Sequence, residues 1–313
     1  MIDVAFSTAK RLQENMEKVV LGKPEVVRSL LIAVLAGEHV LLDDVPGVGK
    51  TLAAKALARS LDGVFTRVQF TPDLLPSDIL GSNLYRSDLH EFEFNQGPVF
   101  ANVVLADEIN RAPPRTQSAL LEAMSEGQVS IDGTTRALPK PFTVVATQNP
   151  IEFEGTYRLP ESQLDRFLLR TSVGYPQPDV ERDVLRSHCN GEPVDQLSPV
   201  VSCHEVLESQ EAVRKVRFED SLISYLLAVV DATRQSEDLQ VGVSTRAALS
   251  YFRGCQARAV CMERDYVVPD DIKSLAVPVL SHRVVLKDSF MTGDRSRAEQ
   301  VVHEIVQRVT VPV

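Results

Sequence analysis

The chain has 313 residues, 33 Lys+Arg against 43 Asp+Glu for a formal charge of −10, and is 44% hydrophobic and 24% charged, which excludes fibrous, collagenous and disordered classes. At roughly 100–200 residues per domain the length predicts two domains. The longest apolar run, Leu30 to Ala36, is far short of the ~18 residues a membrane span requires, and the N-terminus carries Asp3, Lys10, Arg11 and Glu14, so neither a membrane helix nor a signal peptide is expected. Four cysteines, Cys189, Cys203, Cys255 and Cys261, lack the Cys-x-x-Cys spacing of a zinc site and read as reduced thiols in a cytoplasmic protein. His188-Cys189 and Cys203-His204 would hold a metal only if the intervening loop closed on itself. The acidic balance and the absence of a Lys/Arg run make nucleic acid an unexpected partner.

From Ile2 to about Val173 short β-branched runs alternate with helical segments, the pattern of a parallel sheet covered by helices on both faces. The runs are Val40-Leu42, Phe65-Phe70, Val103-Ala106, Phe142-Thr147 and Phe167-Val173. The first runs through Asp43-Asp44-Val45 into Pro46-Gly47-Val48-Gly49-Lys50-Thr51-Leu52, a strand, a glycine-containing turn and a helix start. In a phosphate loop the turn's N–H groups and the helix N-terminus surround phosphates, Lys50 reaches the β and γ phosphates, and Thr51 offers a hydroxyl to Mg²⁺. The first glycine of the general pattern is replaced by Asp44, so the loop must turn on Gly47 and Gly49.

The Val103-Ala106 run ends in Asp107-Glu108. Ligands of open α/β sheets bind at the carboxyl ends of the strands, so Asp107 is expected in the Mg²⁺ shell and Glu108 as the base that activates water. The Phe142-Thr147 run ends in Gln148-Asn149-Pro150; beside the Asp107-Glu108 strand, the Asn149 amide would meet the γ-phosphate and the water. Phosphate loop and acidic pair together predict nucleotide hydrolysis, and with no Asn-Lys-x-Asp guanine-reading tetrapeptide the nucleotide is ATP. Arg111 and Arg115 flank Pro113-Pro114 at a helix start, where the dipole disfavours cations, so each is either a contact to a neighbouring copy or part of a solvated face.

Between Gly174 and Val200 proline and glycine accumulate, marking a boundary within which Val180-Arg186 makes a short helix. This divides the chain into residues 1–176 and 177–313, the second beginning with a linker to about residue 200. Beyond it strand-like runs vanish and amphipathic helices follow. Asp220-Arg234 carries Leu222, Leu226, Val229 and Val230 on one stripe, Ser244 caps a helix bearing Ala248, Phe252, Cys255 and Ala259, and two more lie near Pro269-Ser281 and Ser296-Val309.

In order and spacing, the phosphate loop, the Asp-Glu strand and the Asn strand resemble the core of the AAA+ ATPases. Leu41-Thr51, Asp107-Met124, Glu126-Gln128 and Ala146-Pro150 resemble specifically the MoxR family of the helix-2-insert branch, relatives of magnesium-chelatase ATPase subunits. The resemblance spans about residues 10 to 310 and removes the anomaly of Asp44, since an acidic residue there is usual in that family. It implies an α/β P-loop AAA+ domain with a parallel sheet followed by a small all-α lid. It further implies that Arg166, in Leu164-Asp165-Arg166-Phe167, is an arginine finger offered to a neighbour's ATP, and that Arg246, in Gly242-Val243-Ser244-Thr245-Arg246-Ala247, reaches the phosphates of its own subunit. Val20 and Gly22 would pack on adenine. Insertions at Phe70-Phe100, with a hairpin near Arg86-Glu91, and at Gln128-Ala137, turning on Asp132-Gly133, would face a ring pore or a client. The family's work implies a hexameric ring, ATP and Mg²⁺ as cofactors, a protein client remodelled or matured in chaperone fashion, often in metal-containing complexes, and a partner with a von Willebrand factor A-type domain. Two other readings stay open: a nucleic-acid translocase and a scaffold that binds nucleotide without turnover.

Overall fold

The computed structural model describes residues 2–88, 90–150, 155–287 and 294–312. Helix α1 (Ile2–Glu17) is followed by α2 (Pro24–Ala36), which starts on Pro24 and ends where Gly37, at φ +72°, returns its N–H to Ala33 and Val34, the left-handed stop that glycine adopts without strain. Strand β1 (Val40–Asp43) leads through the loop to α3 (Lys50–Ser60). Then come β2 (Leu61–Asp62), β3 (Phe65–Gln69), α4 (Pro76–Leu80), the hairpin β4 (Gly81–Arg86) and β5 (Glu91–Gln96), and β6 (Val103–Asp107). Helix α5 (Pro114–Glu126) precedes the hairpin β7 (Gln128–Ile131) and β8 (Thr134–Ala137), then β9 (Thr143–Gln148), α6 (Glu161–Leu164) and β10 (Leu169–Thr171). The remainder comprises α7 (Pro178–Ser187), β11 (Val201–Ser202), α8 (Cys203–Val213), α9 (Asp220–Gln235), β12 (Leu239–Val241), α10 (Thr245–Cys261), α11 (Pro269–Leu280), β13 (Val285–Leu286) and α12 (Asp294–Arg308).

The five β-branched runs form one parallel sheet in the order β10-β1-β9-β6-β3. Strands β1 and β6 are buried throughout and β9 to its last residue, because helices cover both faces, which is why they read as continuous apolar runs. Edge strand β3 alternates instead, with Arg67 and Gln69 exposed around buried Val68. One apolar core packs α1, α2 and α3 with the helices after residue 200, and a second fills the opposite face around α5, Phe70 and Phe167.

The second half differs from the sequence reading in two respects. The segment after α7 wraps back onto the first unit before the helical unit begins. Strand β11 pairs with β2, α8 packs on α1 and α2, Arg11 Nη1 donates to Val200 O (2.8 Å) and Gln210 Nε2 to Val34 O (2.7 Å). Nor do strands vanish, since β12 and β13 form a short antiparallel ribbon; two- and three-residue strands are too short to leave a period in sequence. The four expected helices are present as α9 to α12, and Ser244 Oγ caps α10 by accepting from Ala247 N (3.0 Å). Among the described residues no helix is long and apolar enough to cross a membrane.

Candidate functional site

The sheet's parallel topology places the carboxyl ends of β1, β6 and β9 along one edge, gathering the phosphate loop, Asp107-Glu108 and Asn149. Gly47 and Gly49 stand at φ +82° and +95°, a conformation that L side chains rarely adopt. A Cβ built on either glycine meets nothing within 4 Å, so the loop's inner surface is open. Gly49 gives α3 no side-chain cap, and the first N–H groups of the helix face that space. Lys50 folds back onto the loop: its Nζ donates to Asp44 O and to Gln148 O (3.0 Å), and burial lowers its pKa against the pull of Asp44, Asp43, Asp107 and Glu108. Thr51 and Leu52 are half-buried in the first helical turn, Val48 and Leu52 pack on the core, and Pro46 is exposed.

Asp107 is buried, its Oδ1 accepting from Thr147 Oγ1 (2.6 Å) and its Oδ2 from Arg67 Nη2 (2.6 Å) and Nε (3.1 Å). Glu108 sits at φ +57°, rare for a residue with a side chain and characteristic of functional positions. Its N–H is fixed by Thr147 Oγ1 (2.8 Å), and its Oε2 accepts from Gln69 Nε2 (2.8 Å) and pairs with Arg111 Nε (3.1 Å). Arg111 thus faces its own subunit's glutamate while its side chain stays 39% exposed; Arg115 is exposed. Asn149 is buried at the end of β9, between β1 and β6 as expected, its carbonyl accepting from Asn110 Nδ2 (3.4 Å). It lines a cleft of about 870 Å³ of mixed polar and apolar lining that runs from Asp44 to Arg170 and Arg295. Arg295, on α12, donates to Asp43 O (2.8 Å) and pairs with the Asp43 carboxylate (3.2 Å), tying the last helix to the strand that carries the loop.

The donor set suits ATP and Mg²⁺: a hydroxyl and a carboxylate are the hard oxygen ligands Mg²⁺ takes, and the open glycine turn matches a phosphate. Val20 is buried, and Gly22, at φ +66°, lies under Val180 of α7, whose methyls would be 2.8 and 2.9 Å from a Cβ there. Gly174 N donates to Asp44 Oδ2 (2.6 Å), while Tyr175 O accepts from Lys23 Nζ (2.7 Å), so one short segment holds both the phosphate loop and the Gly22 turn.

The two remaining arginines lie elsewhere. Leu169 is level with Val40 in the sheet register, so Arg166, just before β10, stands at the amino edge, opposite the phosphate loop. It donates to Leu121 O and to Ser125 Oγ (2.7 Å), and Arg246 Nη2 donates to the same Ser125 hydroxyl (3.3 Å). Both border a recess of about 250 Å³ with Glu38, His39 and Arg253. The expectation that Arg246 reaches its own subunit's phosphates is therefore corrected. The cause is the docking of the helical unit: Arg283 Nη2 donates to Asp165 O (3.0 Å) and Phe167 O (2.9 Å), and its Nε pairs with the Asp165 carboxylate (3.1 Å). Arg283 thereby grips both neighbours of Arg166 and brings α10 alongside.

Sequence reasoning passed over Arg67, Gln69, Thr147, Arg283 and Arg295. Arg67 and Gln69 were visible as the polar face of an alternating strand, but only the β3–β6 register, Gln69 level with Asp107, aims them at the carboxylates. Among the described residues no cluster of His, Cys, Asp and Glu could hold a metal, and His188-Cys189 and Cys203-His204 form none.

His39 supports the recess from below. Its Nδ1 accepts from Val144 N (3.0 Å), which requires the neutral ring and leaves Nε2–H to donate to Met124 O (3.1 Å). Burial lowers its pKa to about 4. Between that value and the ordinary 6.5 the folded chain binds fewer protons than the unfolded one, so the stability His39 contributes is complete above pH 6.5 and is lost as pH falls toward 4. The loss is about 3 kcal/mol at most. Buried His282 shifts in the same direction. His39→Gln is expected to be less stable at pH 7 yet to lose less on acidification, measured by urea unfolding at pH 7 and pH 4.5.

Residues 39–169 match the ATPase family associated with various cellular activities (AAA), and residues 231–305 match the AAA lid domain. The chain is 48% identical to YeaC of Bacillus subtilis over 96% of its own length and 93% of that protein's. It is 42% identical to Chaperone MoxR1 of Mycobacterium tuberculosis over 97% of its length and 82% of the relative's. A crystal structure of a protein from Cytophaga hutchinsonii superposes with a TM-score of 0.89 at 40% identity, over 99% of this chain and 96% of that one. Sheet order, glycine turn, carboxylate pair and helical unit agree with these likenesses, and the chain belongs to the MoxR family of AAA+ ATPases.

Proposed function

We propose that the chain hydrolyses ATP as one subunit of a hexameric ring and uses the energy to remodel or mature protein complexes, including metal-containing ones, in the cytoplasm. The observation that carries this reading is the separation of Lys50, Thr51, Glu108 and Asn149 from Arg166 and Arg246, at opposite edges of one sheet. A site divided in this way is completed by a neighbour in a head-to-tail contact, and such contacts close into a ring when the rotation between subunits closes. Lys50 would leave the Asp44 and Gln148 carbonyls for phosphate oxygens, and Mg²⁺, held by Thr51 and Asp107, would neutralise phosphate charge. Glu108 would take the proton of the attacking water, Asn149 would orient that water, and a neighbour's Arg166 and Arg246 would stabilise charge on the transferred group. Val20 and Gly22 remain the proposed adenine contacts, with Val180 against Gly22.

The name of the mycobacterial relative, a chaperone, supports a protein client. So do the hairpins, which brace each other through Asn83 Nδ2 and Asp132 Oδ2 (2.7 Å) and through Arg136 over the Phe94 ring (4.0 Å). Their surface presents Leu84, Tyr85 and Phe92, the last 71% exposed, and Arg86 is paired with Asp88 and Glu93, a poor match for a nucleic-acid backbone. A separate partner with a von Willebrand factor A-type domain fits a chain whose own client-facing parts are two short hairpins. Specific ATPase activity measured against protein concentration, with sedimentation in parallel, tests the divided site. It should rise as oligomers form; an equal rate per subunit in the monomer would refute it.

A further inference from the structure

Three carboxylates of this edge each have a cation of this chain. Asp43 has Arg295, Glu108 has Arg111, and Asp107 has Arg67. In the last pair two guanidinium nitrogens share one carboxylate oxygen, Oδ2, at 2.6 and 3.1 Å. Nη2 also donates to Gln69 Oε1 (3.2 Å), and Gln69 in turn donates to Glu108. With Thr147 on Oδ1, three of the roughly four acceptor positions of the Asp107 carboxylate are taken. Both bonds are charge-assisted, yet they share one oxygen and leave Oδ1 to Thr147.

Arg67 can nevertheless leave at low cost. Its side chain is 46% exposed, against 10% for Asp107, and β3 is the edge strand of the sheet, so swinging outward exposes the guanidinium to water and opens no buried hole.

We propose that Arg67 is an exchangeable counter-ion of Asp107: it occupies the carboxylate in the arrangement seen here and must yield it before a divalent cation is held there. Arg67 then sets the Mg²⁺ concentration at which nucleotide is gripped, and Gln69 carries the exchange to Glu108, which is freed of one donor when the pair opens. Arg67 acts through Asp107 and is a positioning residue. The inference rests on the reading of this edge as the ATP site.

The test is binding of a fluorescent ATP analogue to the full chain, first in EDTA and then on titration with MgCl₂, for wild type, Arg67→Met, Arg67→Lys, Asp107→Asn and the Arg67→Met/Asp107→Asn pair. Arg67→Met keeps the stem and removes the cation. It should lower the Mg²⁺ concentration at half-effect by about threefold, the scale of a half-exposed ion pair. Arg67→Lys should stay near wild type, and Arg67→Met should have no effect where Asp107 is already replaced by Asn. An unchanged or higher Mg²⁺ requirement in Arg67→Met overturns the proposal while leaving ATP binding intact. A loss of analogue binding in EDTA together with a lower melting temperature assigns Arg67 a structural role and also overturns it. If no chain binds the analogue in either condition, the ATP site itself falls and the exchange with it.

Discussion

Glu108→Gln is expected to reduce ATP turnover by about a hundred- to ten-thousand-fold, the range a positioned general base supplies, while leaving nucleotide binding in place. The substitution is nearly isosteric, and a glutamine oxygen still accepts from Gln69 Nε2, which lies 2.8 Å from Glu108 Oε2. It loses the pair with Arg111, but the Glu108 side chain is 29% exposed, so the cost in stability is about 1 kcal/mol or less. The left-handed backbone at φ +57° is retained, because Gln and Glu bear it equally and Thr147 Oγ1 holds the N–H of residue 108. The measurement is steady-state hydrolysis by assembled protein beside analogue binding at the same concentration. Binding without turnover places the proton transfer on Glu108. Turnover within a few-fold of wild type would show that another group accepts the proton, and would remove the mechanistic reading of the strained backbone.

The carboxyl edge of the site was legible in the sequence because each of its parts closes a buried strand. Asp43, Asp107 and Gln148-Asn149 follow short runs of apolar and β-branched residues, and residues just after such runs fall on one edge whenever the strands are parallel. The Asp132-Gly133 turn was legible for a local reason as well, since both residues adopt positive φ, at +49° and +78°, as the tightest hairpins require. The amino edge was not legible. Arg246 lies on a well-capped helix whose existence follows from Ser244 and the apolar stripe. Its location depends instead on two residues far along the chain, His282 and Arg283, docking on the turn Asp165-Arg166-Phe167. Their signal is a buried arginine, and the sequence around it shows no period. The same holds for Arg67, whose partner is chosen by strand register, and for β11, whose two residues pair with β2 only after the chain has doubled back. Local patterning thus gives the elements and one edge of the site, whereas cross-chain docking decides which side chains share it.

That docking makes a prediction about which subunit each arginine serves. Arg166→Ala is expected to lower turnover by about a thousandfold or more, the effect of removing an arginine that stabilises phosphoryl-transfer charge. Lys50→Ala should abolish activity by emptying the phosphate loop of its cation. Neither variant alone hydrolyses, but a mixture should. An Arg166→Ala subunit, whose phosphate loop is intact, can sit beside a Lys50→Ala subunit, whose Arg166 is intact, and random assembly makes about a quarter of the interfaces complete. Recovery of up to about that fraction of wild-type activity is the expected result, and no recovery would place Arg166 in its own subunit's site. Arg246 is the sharper case, because its sequence motif points to its own phosphates and its position, sharing the Ser125 hydroxyl with Arg166, points to the neighbour's. Arg246→Ala mixed with Lys50→Ala should regain activity as the Arg166 mixture does. If Arg246 served its own loop, the subunit with Lys50 would lack Arg246, the subunit with Arg246 would lack Lys50, and mixing would restore nothing.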